Sequence, residues 1–350
     1  MRVVVVGATG NVGTAVLRRL AEARLTRSTA DDTRLEVIGV ARRLPDARVA
    51  PYDVALWHAV DVGGPDAVAE LAAVFQGADA VVHLAWALQP THDIPAQHRT
   101  NVTGTANVLD AVARAGVPQV VVASSVGAYR GVDVDGKRTP VDEFWPATGI
   151  DTATYSIHKA ANEAAMDAFE TAHPSIVVTR LRPALIFQRG AAAEIRGLFL
   201  GHLVPMRAVR WIRWAVLPLP YPFVFQAVHA DDVADAYWRA VDRRAPGAFN
   251  IAGSPVLTPP RIARVLGMRG AFRVPLGLVR GLVTLTWRLH LQPTDAGWVD
   301  IAAQVPVMRT DRARSVLGWE ARHSSEDALR ALVGGFADRA NVAASAPLRG

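Results

Sequence analysis

The chain has 350 residues, of which 51% are hydrophobic and 20% charged, and this balance excludes disorder over most of its length. The net charge is +6, but the basic residues are spread along the chain without the dense cluster that a nucleic-acid surface needs. The absence of cysteine excludes disulfides, thiolate metal sites and a cysteine nucleophile. We therefore expect a cytoplasmic globular protein with no nucleic-acid partner.

The first half of the chain alternates short apolar runs with segments of helical periodicity. In chain order, the predicted elements are a strand over Val3–Val6, a helix over Asn11–Ala23, a strand over Leu35–Val40, a helix over Ala67–Phe75, a strand over Ala80–Leu84, a helix over Thr103–Ala115, a strand over Val120–Ala123, a helix over Thr154–Ala172 and a strand over Ile176–Leu181. Strands joined by helices return in parallel, so this order predicts an α/β fold with a doubly wound parallel sheet.

The second half loses this regular alternation. The pattern there predicts a helix over Val233–Val241, a strand over Phe249–Ile251 and a helix over Arg261–Leu266. We expect a dinucleotide-binding domain over residues 1–185, with elements near 226–252 returning to its sheet. A smaller substrate lobe is expected mostly over 186–338, and a frayed tail over 339–350.

The uncharged stretch from Trp214 to Val228 is too short, and too often interrupted by proline, to span a bilayer. No integral membrane segment is therefore expected. Trp211 and Trp214 alternate with arginines, which leaves a surface contact with a membrane open. The favoured interpretation is that the apolar stretch Leu198–Phe225 walls a pocket.

A glycine-rich turn joins the first predicted strand to the first predicted helix. Its sequence is Gly7-Ala8-Thr9-Gly10-Asn11-Val12-Gly13, with glycines three residues apart. Gly7 allows a tight turn, Gly10 lets the backbone approach a pyrophosphate, and Gly13 lets the helix pack close to the sheet. The turn predicts a Rossmann-type dinucleotide site, in which Thr9, Asn11 and Val12 also contact the cofactor.

The tip of the second strand favours NADP over NAD. An acidic residue there would bind the ribose hydroxyls of NAD, whereas arginine suits the 2′-phosphate of NADP. This strand is followed by Arg42 and Arg43, with no acid beside them. Paired guanidiniums can clamp a phosphate. NAD remains the less favoured alternative.

Tyr155 and Lys159 lie four residues apart near the start of a predicted helix and so share one face. A neighbouring ammonium favours the phenolate, so we expect Lys159 to lower the pKa of Tyr155. That would make Tyr155 a general acid and base near neutral pH. Because the chain has only one other lysine, Lys137, the position of Lys159 is an informative signal.

Taken together, the motifs resemble those of the extended short-chain dehydrogenase/reductase family, also called the NAD-dependent epimerase/dehydratase superfamily. The resemblance spans roughly residues 2 to 335. It rests on the glycine turn, Val81-Val82-His83-Leu84-Ala85, Asn101-Val102-Thr103-Gly104-Thr105-Ala106-Asn107-Val108-Leu109, Ser124-Ser125, Tyr155 with Lys159, Leu181-Arg182-Pro183, Val228-His229-Ala230-Asp231-Asp232-Val233-Ala234 and Leu317-Gly318-Trp319. The family fold is a Rossmann-type doubly wound sheet with a smaller, mainly C-terminal substrate lobe.

The resemblance also implies roles for individual residues. Tyr155 would be the general acid and base, Lys159 would bind the nicotinamide ribose, and Ser125 would hydrogen-bond the reacting oxygen. Four further residues would contact the cofactor: Asp61 and Val62 at the adenine, and Leu84 and Ala85 in the cleft. Pro183 would pack near the nicotinamide, and Asn101 would be structural. Relatives often dimerise, so a homodimer is possible.

Departures from the family pattern bear on the substrate. Trp86 replaces a small residue and would narrow the substrate side, where Ser125 and Tyr155 also contact the substrate. The favoured function is an NADP-dependent oxidoreductase acting on a carbonyl or hydroxyl of a fairly apolar small molecule. The alternatives are an NAD-dependent nucleotide-sugar epimerase or dehydratase and a non-catalytic dinucleotide sensor.

Other motif residues predict structural roles. His83, His158 and His229 lack metal-ligand spacing, so no metal is expected. Asp231 and Asp232 stand at the start of a predicted helix and are expected to cap it.

Overall fold

The structure is a computed structural model that describes residues 1–27, 35–88, 92–133, 135–191, 216–220, 223–292 and 294–338. Its strands are β1 (Arg2–Val6), β2 (Glu36–Ala41), β3 (Leu56–Ala59), β4 (Ala80–His83), β5 (Gln119–Ala123), β6 (Val177–Pro183), β7 (Leu185–Phe187), β8 (Val216–Pro220), β9 (Ala227–His229), β10 (Gly247–Ile251) and β11 (Gly270–Val274).

The helices include short and long elements on both sides of the main sheet. They are α1 (Asn11–Arg27), α2 (Ala67–Phe75), α3 (Ile94–His98), α4 (Gly104–Ala115), α5 (Thr154–Ala172), α6 (Ala230–Arg243), α7 (Pro259–Val265), α8 (Leu276–Arg288), α9 (Gly297–Gln304), α10 (Asp311–Leu317) and α11 (Ser325–Asp338). A stretch of π-helix over Arg99–Thr103 joins α3 to α4.

The predicted doubly wound sheet is confirmed. Seven parallel strands lie in the order β10-β6-β5-β4-β1-β2-β3. The chain therefore runs outward from β1 to β3 and then returns to β4 on the other side of β1. The carboxyl ends of β1 and β4 form the point at which strand order reverses, where open α/β sheets bind their ligands.

Alternating side chains of the buried strands supply two cores, one on each face of the sheet. Val3 and Val5 point to the face covered by α1 and α6, whereas Val4 and Val6 point to the face covered by α2, α4 and α5. All four valines are at most 1% exposed. The continuous β-branched run is therefore explained by burial on both faces.

The sequence pattern missed β3, the edge strand of the sheet. Its residues Leu-Trp-His-Ala lack a β-branched run, and none of them is buried. Trp57 instead lies across Gly39 of β2, where an added Cβ would come within 2.7 Å of the indole. Hydrophobic periodicity predicts buried strands better than exposed edge strands.

The remaining elements form a smaller lobe beside the carboxyl edge of the sheet. Two parallel pairs, β7 with β9 and β8 with β11, accompany helices α7 to α11. Within residues 226–252, β10 joins the edge of the main sheet and α6 packs on its face, whereas β9 pairs with β7 outside it. The expected frayed tail at 339–350 lies outside the described residues, as do Trp211 and Trp214.

No helix in the described part of the chain combines the length and apolar character needed to cross a bilayer.

The Leu317-Gly318-Trp319 motif fastens the C-terminal part of the chain to α6. Gly318 ends α10 with a φ of +58°, which few residues other than glycine adopt readily. Trp319 is only 1% exposed, and its indole Nε1 donates a hydrogen bond of 2.8 Å to the backbone oxygen of Asp232. The motif therefore stabilises the packing of the C-terminal part of the chain and does not form part of a ligand site.

Replacing Trp319 by Ala should lower the free energy of unfolding by about 3–5 kcal/mol, because a large buried ring and its hydrogen bond are lost. Phe144 is 91% exposed, so Phe144→Ala should change stability by less than about 0.5 kcal/mol. Urea unfolding followed by circular dichroism measures both. Equal effects of the two substitutions would contradict this packing role.

Candidate active site

A cleft of about 410 Å³ opens along the carboxyl ends of the central strands. Of the residues that the sequence assigns to the site, all but Asp61 line it: Gly7, Thr9, Gly10, Asn11, Val12, Gly13, Arg42, Arg43, Val62, Leu84, Ala85, Trp86, Ser125, Tyr155, Lys159 and Pro183. Residues scattered over more than 170 positions of sequence therefore meet at one edge of the sheet. None of the described residues lining the cleft is acidic.

The glycine turn fits a dinucleotide. Gly7 adopts a φ of +85°, and its backbone N–H donates to the oxygen of Val40 at 2.8 Å. An added Cβ at Gly7 would meet Ala85 N at 2.5 Å, and one at Gly13 would meet the Gly7 oxygen at 2.4 Å. The turn thus brings backbone and the amino end of α1 to the cleft without side chains in the way, as a pyrophosphate requires.

Two arginines mark the far end of the cleft. Arg42 and Arg43 are exposed, directly follow β2 and line the cleft together with Val60 and Val62. Asp61 does not line the cleft, and its Oδ1 instead accepts a hydrogen bond of 3.0 Å from the backbone N–H of Gly63. This end of the cleft therefore offers positive charge to an anion.

Tyr155 lies at the opposite end, in the first turn of α5. Its hydroxyl interacts with Ser125, which follows β5, and this interaction lowers the pKa of Tyr155. Ser125 Oγ is fixed in turn by the backbone N–H of Gly127 at 3.0 Å. The contact joins two residues that are 30 positions apart in the sequence. It places a phenol and a hydroxyl side by side at the cleft wall.

The sequence predicts that Lys159 lowers the pKa of Tyr155, and this prediction is wrong. Burial raises the pKa of Tyr155 to about 12, and the hydrogen bond with Ser125 only partly opposes this rise. The Lys159 ammonium lies 5.9 Å from the centre of the phenol ring. Desolvation of the phenolate outweighs the distant ammonium, so Tyr155 is a neutral phenol at neutral pH.

Lys159 is held one turn further along α5. Its Nζ donates a hydrogen bond of 2.7 Å to the backbone oxygen of Ala123 and lies 3.5 Å from the ring centre of Trp86. Burial lowers the pKa of Lys159 to about 7, although the carboxylate of Glu163 opposes this shift. Lys159 is thus partly uncharged at neutral pH, and an anion bound nearby would raise its pKa again.

A buried ion pair lies directly beneath these groups. Glu163 is 2% exposed and accepts hydrogen bonds from Arg182 Nε at 2.8 Å and Nη2 at 2.9 Å. Ser124 Oγ donates to the same carboxylate. Arg182 and Ser124 keep the pKa of Glu163 below its usual value despite its burial. The Glu163 carboxylate of this pair lies one helical turn from Lys159 and raises the pKa of that lysine.

Aromatic side chains form the walls around Tyr155. The rings of Trp86 and Tyr155 meet edge to face, with centres 5.5 Å apart. The ring centre of Trp298, on α9, lies 5.2 Å from that of Tyr155. Asn101 holds the backbone that follows Trp86, because its side-chain amide both donates to and accepts from Ala87. Asn101 is therefore a structural residue, as its position in the sequence suggests.

Sequence reasoning missed part of the wall. Trp298, Ile301 and Tyr237 line the cleft, but no motif surrounds them. Most of the stretch Leu198–Phe225, which the sequence assigns to the wall, lies outside the described residues, and its described part does not line the cleft. Only tertiary packing brings α9 to Tyr155, so a local pattern carries no signal for it.

The expected capping of α6 by aspartates is wrong. His229 is the N-cap, and its Nδ1 accepts a hydrogen bond from the backbone N–H of Asp231. Asp231 pairs with Arg18 at 2.7 Å, and buried Asp232 accepts from the backbone N–H of His323 at 3.0 Å. Both carboxylates lie in the first turn of the helix, where the macrodipole favours negative charge.

The two lysines allow a direct test of the charge state of Lys159. Burial also lowers the pKa of Lys137, to about 8. We expect protein labelled with ¹³C at lysine Cε to show two titrating signals, with midpoints near 7 and 8 rather than at the ordinary 10.5. Lys159→Arg and Lys137→Arg variants assign them. Two midpoints above 10 would contradict the burial of these ammonium groups.

Comparison with known proteins agrees with this geometry. Residues 3–252 match the model of the NAD-dependent epimerase/dehydratase family. An uncharacterized protein of Mycobacterium tuberculosis is 26% identical over 332 residues, which are 94% of this chain. The chain spans 29% of the length of that relative.

Two solved structures show the same fold. A UDP-glucose 4-epimerase of Thermotoga maritima, solved with UDP-glucose, is 20% identical, with a TM-score of 0.66 over 97% of this chain and 99% of that one. A dTDP-glucose 4,6-dehydratase of Streptomyces venezuelae, solved with NAD, is 21% identical, with a TM-score of 0.69 over 97% of each chain. Because the family match covers well over half of its length, the chain belongs to the NAD-dependent epimerase/dehydratase family, with the Rossmann fold and nucleotide-binding site of that family.

Proposed function

We propose that the protein is an NADP-dependent oxidoreductase that acts on a carbonyl or hydroxyl group of a fairly apolar small molecule. The observation that carries this proposal is the position of Tyr155. It is a partly buried neutral phenol that interacts with Ser125 and contacts the rings of Trp86 and Trp298, at one end of a cleft whose described lining contains no acid. The other end carries Arg42 and Arg43.

The charge distribution of the cleft supports NADP. The charged side chains that line it in the described part of the chain are Arg42, Arg43 and Lys159. An NAD site commonly holds the adenosine ribose with a carboxylate at the tip of the second strand, whereas a 2′-phosphate requires cations there. Guanidiniums at this tip can bind that phosphate with charge-assisted hydrogen bonds.

The chain's own residues supply the proton chemistry. When bound, NADPH supplies the hydride that the substrate carbon accepts. Tyr155 gives its proton to the substrate oxygen, so that the carbonyl becomes an alcohol and the phenol becomes a phenolate. Ser125 donates a hydrogen bond to the same oxygen while its negative charge develops. The ammonium of Lys159 stabilises the phenolate, which then recovers a proton from solvent.

The protonation states favour reduction over oxidation at neutral pH. With a pKa of about 12, Tyr155 carries the proton that reduction consumes, whereas oxidation would need the phenolate. The Lys159 ammonium stabilises the phenolate in both the reduction and the oxidation. The fraction of Lys159 that is charged falls as the pH rises through about 7. The reduction should therefore slow as the pH rises above neutrality, through loss of the ammonium.

The walls of the cleft indicate the substrate class. Trp86 and Trp298 contact Tyr155, and Tyr237, Phe187 and Ile301 also line the cleft. Apolar walls with a few placed polar groups are typical of sites for small hydrophobic ligands. A nucleotide-sugar epimerase or dehydratase, the function of the solved relatives, would need a second diphosphate held near these rings. A non-catalytic sensor would not need the Ser125–Tyr155 pair.

Arg42→Ala should weaken NADP binding by about ten- to a hundredfold, because it removes a charge-assisted contact worth roughly 1.5–3 kcal/mol. NAD binding should change little. Arg48→Ala is the matched control, since Arg48 is exposed, pairs with Asp46 and does not line the cleft. Calorimetric titration of both cofactors into the three proteins measures the effect. Wild-type protein that prefers NAD would refute the cofactor assignment.

Tyr155→Phe should lower turnover about 10²- to 10⁴-fold and leave cofactor affinity largely unchanged, because the ring still packs but the proton is lost. The assay follows NADPH consumption with a panel of apolar ketones and aldehydes. Tyr52→Phe is the control, since Tyr52 lies outside the cleft.

Comparable turnover by Tyr155→Phe and wild-type protein would exclude the proposed role of the phenol. Conversion of UDP-glucose by protein that retains NAD on purification would instead establish the nucleotide-sugar alternative.

A further inference from the structure

Helix α8 carries a stripe of exposed leucines. Leu278, Leu282, Leu285 and Leu289 are spaced by three or four residues and therefore share one face of the helix and its C-terminal end. Each of these side chains is between 55% and 66% exposed. We call this stripe the leucine face. Single exposed leucines are common, but a continuous stripe of four marks an interaction surface.

The opposite side of α8 is where the helix meets the rest of the protein. Arg280 Nε pairs with buried Asp300 of α9 at 3.0 Å, and Trp287 stacks on His92 with ring centres 4.8 Å apart. No residue of α8 is buried. The helix thus lies on the surface of the lobe, with its leucines turned away from the protein core.

The segment of chain that contains α8 carries charge of a single sign. Between Asp242 and Asp295 the sequence contains eight arginines and no acidic residue. Arg269, Arg273 and Arg288 in this segment are exposed. A chain with 32 acidic residues among 350 would carry several in a segment of this length. The helix that bears the leucine face therefore carries two arginines, Arg280 and Arg288, and no acid of its own.

The exposed leucines and the arginines together indicate what binds the leucine face. A second copy of the chain would bring together two helices that each carry arginines and no acid, and their repulsion opposes such a dimer. Amphipathic helices with apolar side chains beside arginines instead lie in the boundary between lipid headgroups and acyl chains. We propose that the leucine face docks the protein onto an anionic lipid surface, with α8 in the plane of the membrane.

Docking would place the cleft close to the lipid. The Arg280–Asp300 pair ties α8 to α9, which carries Trp298 and Ile301 of the cleft wall. The apolar end of the cleft is therefore one helix away from the leucine face. If the proposed function holds, its substrates include molecules that partition into lipid; this last step rests on that function, whereas docking does not.

Vesicle flotation of the purified full-length chain tests docking without any assay of activity. Wild-type protein should float with vesicles of phosphatidylcholine and phosphatidylglycerol and remain behind with phosphatidylcholine alone. The double substitution Leu282→Glu/Leu285→Glu should weaken binding about tenfold or more. Arg288→Gln should weaken it about fivefold, because each basic residue near an anionic surface contributes to binding. Added salt should reduce binding as well.

The control is Leu25→Glu/Leu56→Glu, which makes the same change in net charge at leucines that are 74% and 61% exposed elsewhere. It should float like wild-type protein. Circular dichroism and dinucleotide binding show whether each variant is folded.

Three results would overturn the proposal. The first is wild-type protein that stays off anionic vesicles. The second is equal flotation of the two double variants. The third is a wild-type dimer, measured by light scattering, that only the α8 variant dissociates, because the leucine face would then bind a second copy. Failure of docking leaves the cofactor and turnover assays unaffected.

Discussion

A carboxylate buried beside arginine holds the active site together. Glu163 lies on the same helix as Tyr155 and Lys159, and its partner Arg182 lies on β6. Ser124, immediately before Ser125, donates to the same carboxylate. The pair therefore fixes the relative positions of α5, β6 and the loop after β5. Removing Glu163 would leave the buried guanidinium of Arg182 without its carboxylate, at a cost of about 3–5 kcal/mol.

The same ion pair shapes the electrostatics of the cleft. Burial alone would discharge Lys159 further, and the negative charge of Glu163 restrains this shift. Tyr155 lacks an equally close counter-ion and stays protonated. The two groups, one helical turn apart, are thus driven in opposite directions from their ordinary pKa values, each toward its neutral form. A neutral phenol beside a lysine whose charged and uncharged forms are both populated suits proton donation at neutral pH.

Charge and apolar surface are segregated in the part of the molecule that the structure describes. Within the described cleft, cations lie at the end formed by β2 and aromatic rings lie at the end formed by α5 and α9. On the outside, α8 exposes leucines within a stretch of chain that has arginines and no acids. In the proposals made above, both surfaces bind ligands that combine an anionic group with apolar material. In each case the absence of carboxylates is as informative as the presence of arginine.

The sequence by itself determined the parallel sheet, the glycine turn and the pairing of Tyr155 with Lys159, because each depends on local spacing or on burial of a continuous apolar run. Only the tertiary structure decided that Trp298 faces Tyr155, that burial outweighs Lys159 in setting the tyrosine pKa, and that His229 rather than an aspartate caps α6. These outcomes depend on distances between segments that are remote in the sequence, and on water excluded between them, neither of which a local pattern records.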